Sequence, residues 1–435
     1  MTTASIRAGW NRFFHEPIPA TTLGVYRILF GLMLLSYAAL ISSDLLVWYG
    51  DKGVLPLAES RNTPGGAGLN LLHYLPNTDS AVKGFFGLLV AAAFCVTIGF
   101  QTRIASVIAY LTLVSFHHRN VMLLHSGDFF LRIVSFWMMF ADSGRAFSVD
   151  RLIRIARGKE SQETRFITPW PMRMIQLQVC MLYFDAFLWK IRGETWMNGL
   201  AIYYSSRLIE FYRFPTPYVF EHLWTIKLMT WGTLVIEFAL GFLLWIKDLR
   251  YCILLAGVIL HLGIDWTMNI PLFAPIMMTA YVTWIAPPDL ERFFAWARAK
   301  VNRWTNFTVP IPVFYDGKCA FCARSVEVLR RLDSLRRIRF INMHAAGTKT
   351  EFPDLDLERG ANEMLLRDRD GKWYGGFDAY RAMAKQMPAF WVILPILFVP
   401  PAPAIGRRLY SRVAGRRYCI LPAMSETQAA TALSK

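Results

Sequence analysis

The sequence predicts a polytopic helical membrane domain followed by a small water-exposed α/β domain. Three observations carry this. Apolar residues make up 54% of the chain and charged residues only 18%, where soluble proteins carry about a quarter charged. The apolar residues fall into long runs, and about 20 in succession cross the hydrocarbon core of a bilayer. Beyond Pro310 the runs give way to short β-rich and amphipathic segments separated by Gly- and Asp-containing turns.

Taken in order, about eight spans are expected from hydropathy: Thr21–Trp48, Val82–Phe100, Ile104–Phe116, Asp128–Ala141, Met172–Ile191, Trp224–Ile246, Tyr251–Asn269 and Leu272–Ala286. The residues before Thr21 hold no short apolar core with a cleavage site, so no removable leader is expected. The loop 142–171 contains Arg145, Arg151, Arg154, Arg157, Lys159 and Arg165, and smaller basic groups sit at Arg7 with Arg12, at Arg103, and at Lys247 with Arg250. Alternation through eight spans puts all of these on one side, which basic residues mark as cytoplasmic. An integral multi-pass protein with both termini cytoplasmic follows; in a bacterium this is the inner membrane. The formal charge of +16 then serves orientation and anionic lipid, and no nucleic-acid module accompanies it.

The expected domains are 16–288 in the membrane, a linker at 289–308, and 309–420 outside it. The linker is amphipathic and basic with Phe293, Phe294 and Trp296, the pattern of a surface-lying helix. In the last domain Val309–Tyr315 is expected as a strand, Cys319–Leu332 as a helix and Ile338–Asn342 as a second strand. Asn362–Arg367 and Lys372–Gly375 form a hairpin around the Asp368–Gly371 turn, and Asp378–Gln386 is a helix. This order is thioredoxin-like. The final stretch, Pro388–Tyr418, is apolar and then basic, and is expected to pack on the membrane.

Of six cysteines, Cys95, Cys180 and Cys252 lie in apolar runs as small hydrophobes, Cys419 stands alone, and Cys319 and Cys322 form the one close pair. Cys319 follows a strand and the turn Tyr315-Asp316-Gly317-Lys318, and so falls at a helix N-terminus. Unpaired amides and the helix dipole stabilise a thiolate there. Cys319 is the expected nucleophile and Cys322, one turn on, the resolving thiol. Asp316 opposes the thiolate by charge unless it accepts a proton or caps the helix. A zinc site would need His344 and Cys419 at unusual spacing, and a purely structural pair is the other alternative; no metal is expected.

The run Val313-Phe314-Tyr315-Asp316-Gly317-Lys318-Cys319-Ala320-Phe321-Cys322 resembles the signature of the DCC thiol–disulfide oxidoreductase family. Gly376-Phe377-Asp378-Ala379 and Tyr410 with Arg416-Arg417 are similar to its C-terminal pattern. The resemblance implies a redox-active disulfide. Thioredoxins place a cis-proline before the hairpin, whereas Arg359-Gly360-Ala361-Asn362 stands here.

Ionisable residues inside a bilayer cost about 2.5–3.5 kcal/mol each at mid-span on insertion scales, which makes Arg27, Asp185, Lys190, Glu237, His261 and Asp265 functional candidates. Lys190, His125 and His261 are expected to approach the outer leaflet together. A half-desolvated lysine there can act as a general base, and Asp265, one turn from His261, can orient its imidazole. The plainer alternative is that Lys190 snorkels to the interface and that Asp128 and Arg132 form a helix ion pair.

Gln176, Tyr183, Lys190, Gly193, Trp196 and Gly199-Leu200-Ala201-Ile202-Tyr203-Tyr204 resemble the central motif of the HTTM membrane domain, which is related to vitamin K-dependent gamma-carboxylase. Arg27, Gly99 with Arg103, Ser148-Val149-Asp150 and Glu237 also fit. The resemblance implies a quinone or hydroquinone cofactor, Lys190 as the base, His125 and His261 as active-site histidines, and Trp196, Glu237 and Asp265 beside the cofactor. The carboxylase's extra substrate-binding region is missing. The expected function is therefore a membrane oxidoreductase with quinone and thiol or peptide partners. The alternatives are a carboxylase-like peptide-modifying enzyme and a non-enzymatic scaffold or transporter.

Overall fold

The computed structural model describes residues 3–63, 65–160 and 163–420. The chain divides into two units, one made of Met1–Asp150 and Thr164–Leu290, the other of Arg151–Glu163 and the chain from Glu291 on.

The first unit is helical. Its main helices are α1 (Thr21–Ser42), α2 (Asp79–Ile98), α3 (Thr102–Arg119), α4 (Ser126–Met138), α5 (Trp170–Lys190), α6 (Leu223–Phe242), α7 (Arg250–Thr267) and α8 (Phe273–Tyr281). Each expected span has a helix, but only α1, α2, α7 and α6 extended to Trp245 are long and apolar enough to cross a membrane by themselves. The other four fall short for visible reasons. The 13 residues of α4 and 9 of α8 reach only about 20 and 14 Å at 1.5 Å per residue. α3 ends in His117-His118-Arg119, and α5 carries Arg173, Asp185 and Lys190.

Packing runs along the chain: α1 on α2, α2 on α3, α5 on α6, α6 on α7 and α7 on α8, while α8 also touches α1 and α4. Leu34, Leu89, Leu113, Met138, Val179 and Met277 are fully buried between them. One end is tied by polar contacts. The Asp150 carboxylate accepts from the Gln101 and Thr102 amides (2.8 and 2.9 Å) and the Thr102 hydroxyl (2.6 Å), capping the N-terminus of α3. Arg27 donates to the Phe147 carbonyl at 2.5 Å. Gly99 sits between these groups at φ +71°, where a Cβ would lie 1.5 Å from Arg27 Nη1; only glycine fits both the left-handed backbone and the space. Ile18–Pro19 pairs antiparallel with Phe166–Ile167, a join no local pattern announces.

In the second unit the helix α9 (Pro287–Trp304) leads to β1 (Ile311–Tyr315), α10 (Ala320–Leu332), β2 (Ile338–Asn342), β3 (Leu365–Arg367), β4 (Trp373–Gly375) and α11 (Gly376–Gln386). The sheet runs β2-β1-β3-β4. β1 is parallel to β2 and antiparallel to β3, and β3 is antiparallel to β4. Alternate residues of β1 serve the two faces: Ile311, Val313 and Tyr315 pack with Val326, Leu329 and Met383 on one side, while Phe314 packs with Leu355 and Met343 on the other. The last described elements are a bent pair, α12 (Leu394–Phe398), preceded by a 3-10 turn from Pro388, and α13 (Pro401–Ile420). The two limbs meet at 111°, and taken together they too are apolar enough to cross a membrane.

Arg151–Glu163, expected as part of a plain loop, folds with the second unit. Glu160 is held there by Arg151 (2.9 Å) and Arg154 (2.7 Å).

Candidate functional site

Two groups of reactive side chains stand out, one in each unit. In the first, α5 and α6 run side by side and bring Lys190 Nζ to Glu237 Oε1 at 2.5 Å. The ammonium also lies over the Trp196 ring, 5.1 Å from its centroid. Lys190 closes α5, but α6 continues from Glu237 back to Leu223, about 20 Å further along the bundle. The lysine therefore does not end at the bundle's edge as a snorkelling residue would; its charge is met by a carboxylate that is itself buried. A Lys–Glu pair in a low dielectric can pass one proton between its members and become neutral without losing its hydrogen bond.

Two helical turns back on α5, the Tyr183 hydroxyl bonds both His261 Nε2 (2.6 Å) and the Tyr281 hydroxyl (2.5 Å). Gly257 makes room for Tyr281: a Cβ there would lie 2.7 Å from the hydroxyl. Glu237 is within electrostatic reach of both tyrosines, and Lys190 of His261. The five groups thus form one cluster drawn from α5, α6, α7 and α8, buried except for the partly exposed Lys190. Among the described residues, Glu237 Oε2 and His261 Nδ1 have no hydrogen-bond partner, so each keeps one polar atom to offer a bound molecule.

Three expectations are corrected here. Asp265 does not orient His261: its carboxylate pairs with Arg213 at 2.6 Å, because the irregular chain between α5 and α6 brings Tyr212 to bridge Met268 and sets the arginine beside it. His125 is not gathered into the cluster. Its Nδ1 accepts from the Gly127 amide (3.0 Å) and its Nε2 lies 2.8 Å from the Pro271 carbonyl, so both ring nitrogens are engaged. It meets one side of Phe273 at 6.3 Å while His261 meets that ring at 5.4 Å. Asp128 and Arg132 do not pair with each other. Asp128 accepts from the His125 amide at 3.0 Å, and Arg132 donates to His118 Nε2 at 2.9 Å.

In the second unit Cys319 is the N-cap of α10, and its Sγ accepts from the Cys322 amide at 3.4 Å. Asp316 Oδ1 accepts from the Lys318 amide (3.0 Å) and from His344 Nε2 (3.0 Å). The carboxylate therefore braces the turn, and the histidine stands opposite its charge. Cys319 is 1% exposed. Cys322 is half-buried and opens on a cavity of about 30 Å³ that Asp316, Tyr380, Tyr410 and Val413 help to line. The more accessible cysteine is thus Cys322, the reverse of the order expected for a Cys319 nucleophile; the cap position draws Cys319 beneath the turn, and α13 lines the cavity beside Cys322. Burial, with Tyr410 and Cys322 beside it, pushes the Tyr380 phenol up and keeps it protonated.

With this geometry in hand the comparisons can be placed. The model of the HTTM domain matches residues 15–289. The chain belongs to the HTTM family. The model of the DCC1-like thiol-disulfide oxidoreductase matches residues 313–422, so the chain fuses the two domains. Among curated proteins and among solved structures, no match to the chain was found. Together the two domains support a membrane redox or carboxylase-like role.

Some members of both sites escaped the sequence. In the HTTM domain, Tyr281 and the bridging role of Tyr183 depend on partners 78 and 98 residues apart, and no local period signals that. In the DCC1-like domain, His344 carries a usable signal, since it follows the strand parallel to the one that ends just before Asp316. Side chains at residues 417–420, including the isolated Cys419, lie outside the described residues. Asp185, one of the membrane candidates, is exposed on α5.

Proposed function

We propose that this chain is a membrane-bound oxidoreductase. Its DCC1-like unit exchanges thiols and disulfides through Cys319 and Cys322, and its HTTM unit holds a quinone or hydroquinone against Lys190, Glu237 and Trp196. The observation that carries the reading is the cap geometry of Cys319, whose sulfur receives the Cys322 amide at a helix N-terminus. That is where a thiolate is stabilised and becomes a good leaving group. Cys322 is then the sulfur an outside partner meets, and Cys319 the one that closes the disulfide. The strand order β2-β1-β3-β4, with the pair at the start of the first helix, supports a thioredoxin-like arrangement.

Eight crossings and cytoplasmic termini are supported by the two-part make-up of the second unit. Arg151–Glu163 and the chain from Glu291 on share it, so α5 to α8 return the chain to the side it left. The basic residues of 142–171 make that side cytoplasmic. In the HTTM unit, Glu237 can take the ammonium's proton and leave Lys190 a neutral amine, and the open atoms of Glu237 and His261 suit the oxygens of a hydroquinone. A carboxylase-like reaction on a peptide is the second reading, favoured by the same lysine.

The test is Lys190→Arg. Arginine keeps the charge and can keep the contact with Glu237, but cannot give up its proton at working pH. Hydroquinone oxidation by the purified protein is expected to vanish with folding intact. Full activity in the arginine variant would remove Lys190 as the base.

A further inference from the structure

A larger cavity, of about 330 Å³, lies behind the cysteine cavity between α10, α11 and the bent C-terminal pair. The two share Phe321, Tyr380, Tyr410 and Val413 as walls, so the same four side chains border both. The larger one is lined by Leu329, Phe377, Met383, Phe390, Ile393 and Leu409 among others. Its volume is within the range of small-molecule sites. Apart from Arg381, which pairs with Asp378, these walls are apolar and are unsuited to a peptide or to glutathione, both of which bring charge.

The outer wall explains how an apolar molecule would arrive. The bent pair is apolar enough to be membrane-embedded, and Trp391, Val392, Ile396, Val399, Ile405 and Leu409 are all exposed on it. Arg407, Arg408 and Arg412 are exposed on the same α13, the mix of apolar and basic side chains that lies in an anionic bilayer interface. Asp378 holds this wall to α11: it receives Arg381 from its own helix (2.9 Å) and Arg407 from α13 (3.0 Å).

We infer that this cavity is a binding site for a lipid-soluble quinone, which enters from the bilayer and exchanges two electrons with the Cys319–Cys322 pair. The inference rests on the reading of that pair as a dithiol. In the step, the Cys322 sulfur adds to the quinone ring. The Cys319 thiolate attacks the Cys322 sulfur, the S–S bond forms and the C–S bond breaks, and its electron pair passes to the ring. The two thiol protons end on the two quinone oxygens. The dithiol is oxidised to the disulfide and the quinone reduced to hydroquinone. Because a hydroquinone diffuses through the bilayer, the HTTM site needs no direct contact with the cysteines to use it.

The experiment uses the full chain in phospholipid vesicles, reduced, freed of reductant and mixed without oxygen with a decyl-substituted benzoquinone. Loss of quinone absorbance is read against time. Leu409→Asp and Ile393→Asp change exposed positions of the wall and put a charge into the apolar path, so the rate should fall about tenfold or more. Both variants should still be oxidised at the parent's rate by the water-soluble oxidant diamide. An unchanged quinone rate in both aspartate variants would overturn the proposal and leave the cavity to lipid tails. If diamide fails to form the Cys319–Cys322 disulfide in the parent, the dithiol reading itself falls.

Discussion

Lys190 and Glu237 sit 2.5 Å apart and Tyr183 joins His261 to Tyr281, whereas Cys319 faces a backbone amide and Cys322 faces a cavity. The difference follows from the surroundings. An unpaired charge in a low-dielectric bundle costs several kcal/mol, so the HTTM groups persist only by satisfying one another. The DCC1-like pair lies at the start of a helix, whose terminus can hold a reactive sulfur at little cost to the fold. Reactivity and stability are therefore entangled in the first unit and separable in the second.

That contrast can be broken most sharply by sidedness. A cysteine placed at the exposed Ser334 should react with an impermeant maleimide only after cells are opened. Labelling of intact cells would put the DCC1-like unit outside and undo the shared side of Arg151–Glu163 and the C-terminal unit.

Next in size is the entanglement itself. Lys190→Ala leaves Glu237 buried without its cation and should cost about 3–5 kcal/mol. Adding Glu237→Gln should recover part of that loss. Cys319→Ser should abolish disulfide formation yet change stability by no more than about 1 kcal/mol. Thermal unfolding in detergent reads all three, and equal losses for Lys190→Ala and Cys319→Ser would erase the distinction.

Tyr183→Phe removes the one hydroxyl that serves two partners and should cost about 1–3 kcal/mol. Tyr281→Phe, which removes an end of the chain of bonds, should cost less. If the order reverses, Tyr183 is not the hub.

The smallest effect is in the wall of the apolar cavity. At Asp378 burial alone would raise the carboxyl, but the hydrogen bonds and charges of Arg381 and Arg407 outweigh it and hold the group below the usual carboxylate range. A depressed acid contributes stability that is complete above its unfolded value, about 3.9, and is lost as pH falls through the folded value. Hydrogen exchange of Pro401–Arg416 should therefore quicken as pH drops below about 4, beyond the intrinsic trend, and Asp378→Asn should show that faster exchange already at pH 7.

The DCC1-like unit was largely legible because its signals are local. Alternating β-branched and aromatic residues mark β1, the Asp368–Gly371 turn marks the hairpin, and a Cys-x-x-Cys just after a turn marks a helix start. The surroundings of Cys322 were not, since α13, nearly 90 residues on, supplies part of its cavity. In the HTTM unit hydropathy located the helices but not their lengths, and the motif named Lys190 without its partner Glu237. Asp265 misled for the same reason: its spacing from His261 fits one helix face, but the irregular chain before α6 supplies Arg213, a competitor that helical periodicity cannot reveal.

The account turns on Cys319 and Cys322 forming a reversible pair that works independently of the HTTM cluster. The direct measurement is a redox titration of the purified full-length chain in glutathione buffers, quenched by alkylation and read by mass spectrometry. A single two-electron transition should appear in the peptide linking Cys319 to Cys322, unchanged in Lys190→Arg and absent in Cys319→Ser and Cys322→Ser. No linked peptide at any poise, or linkage to Cys95, Cys180 or Cys252 instead, would contradict it.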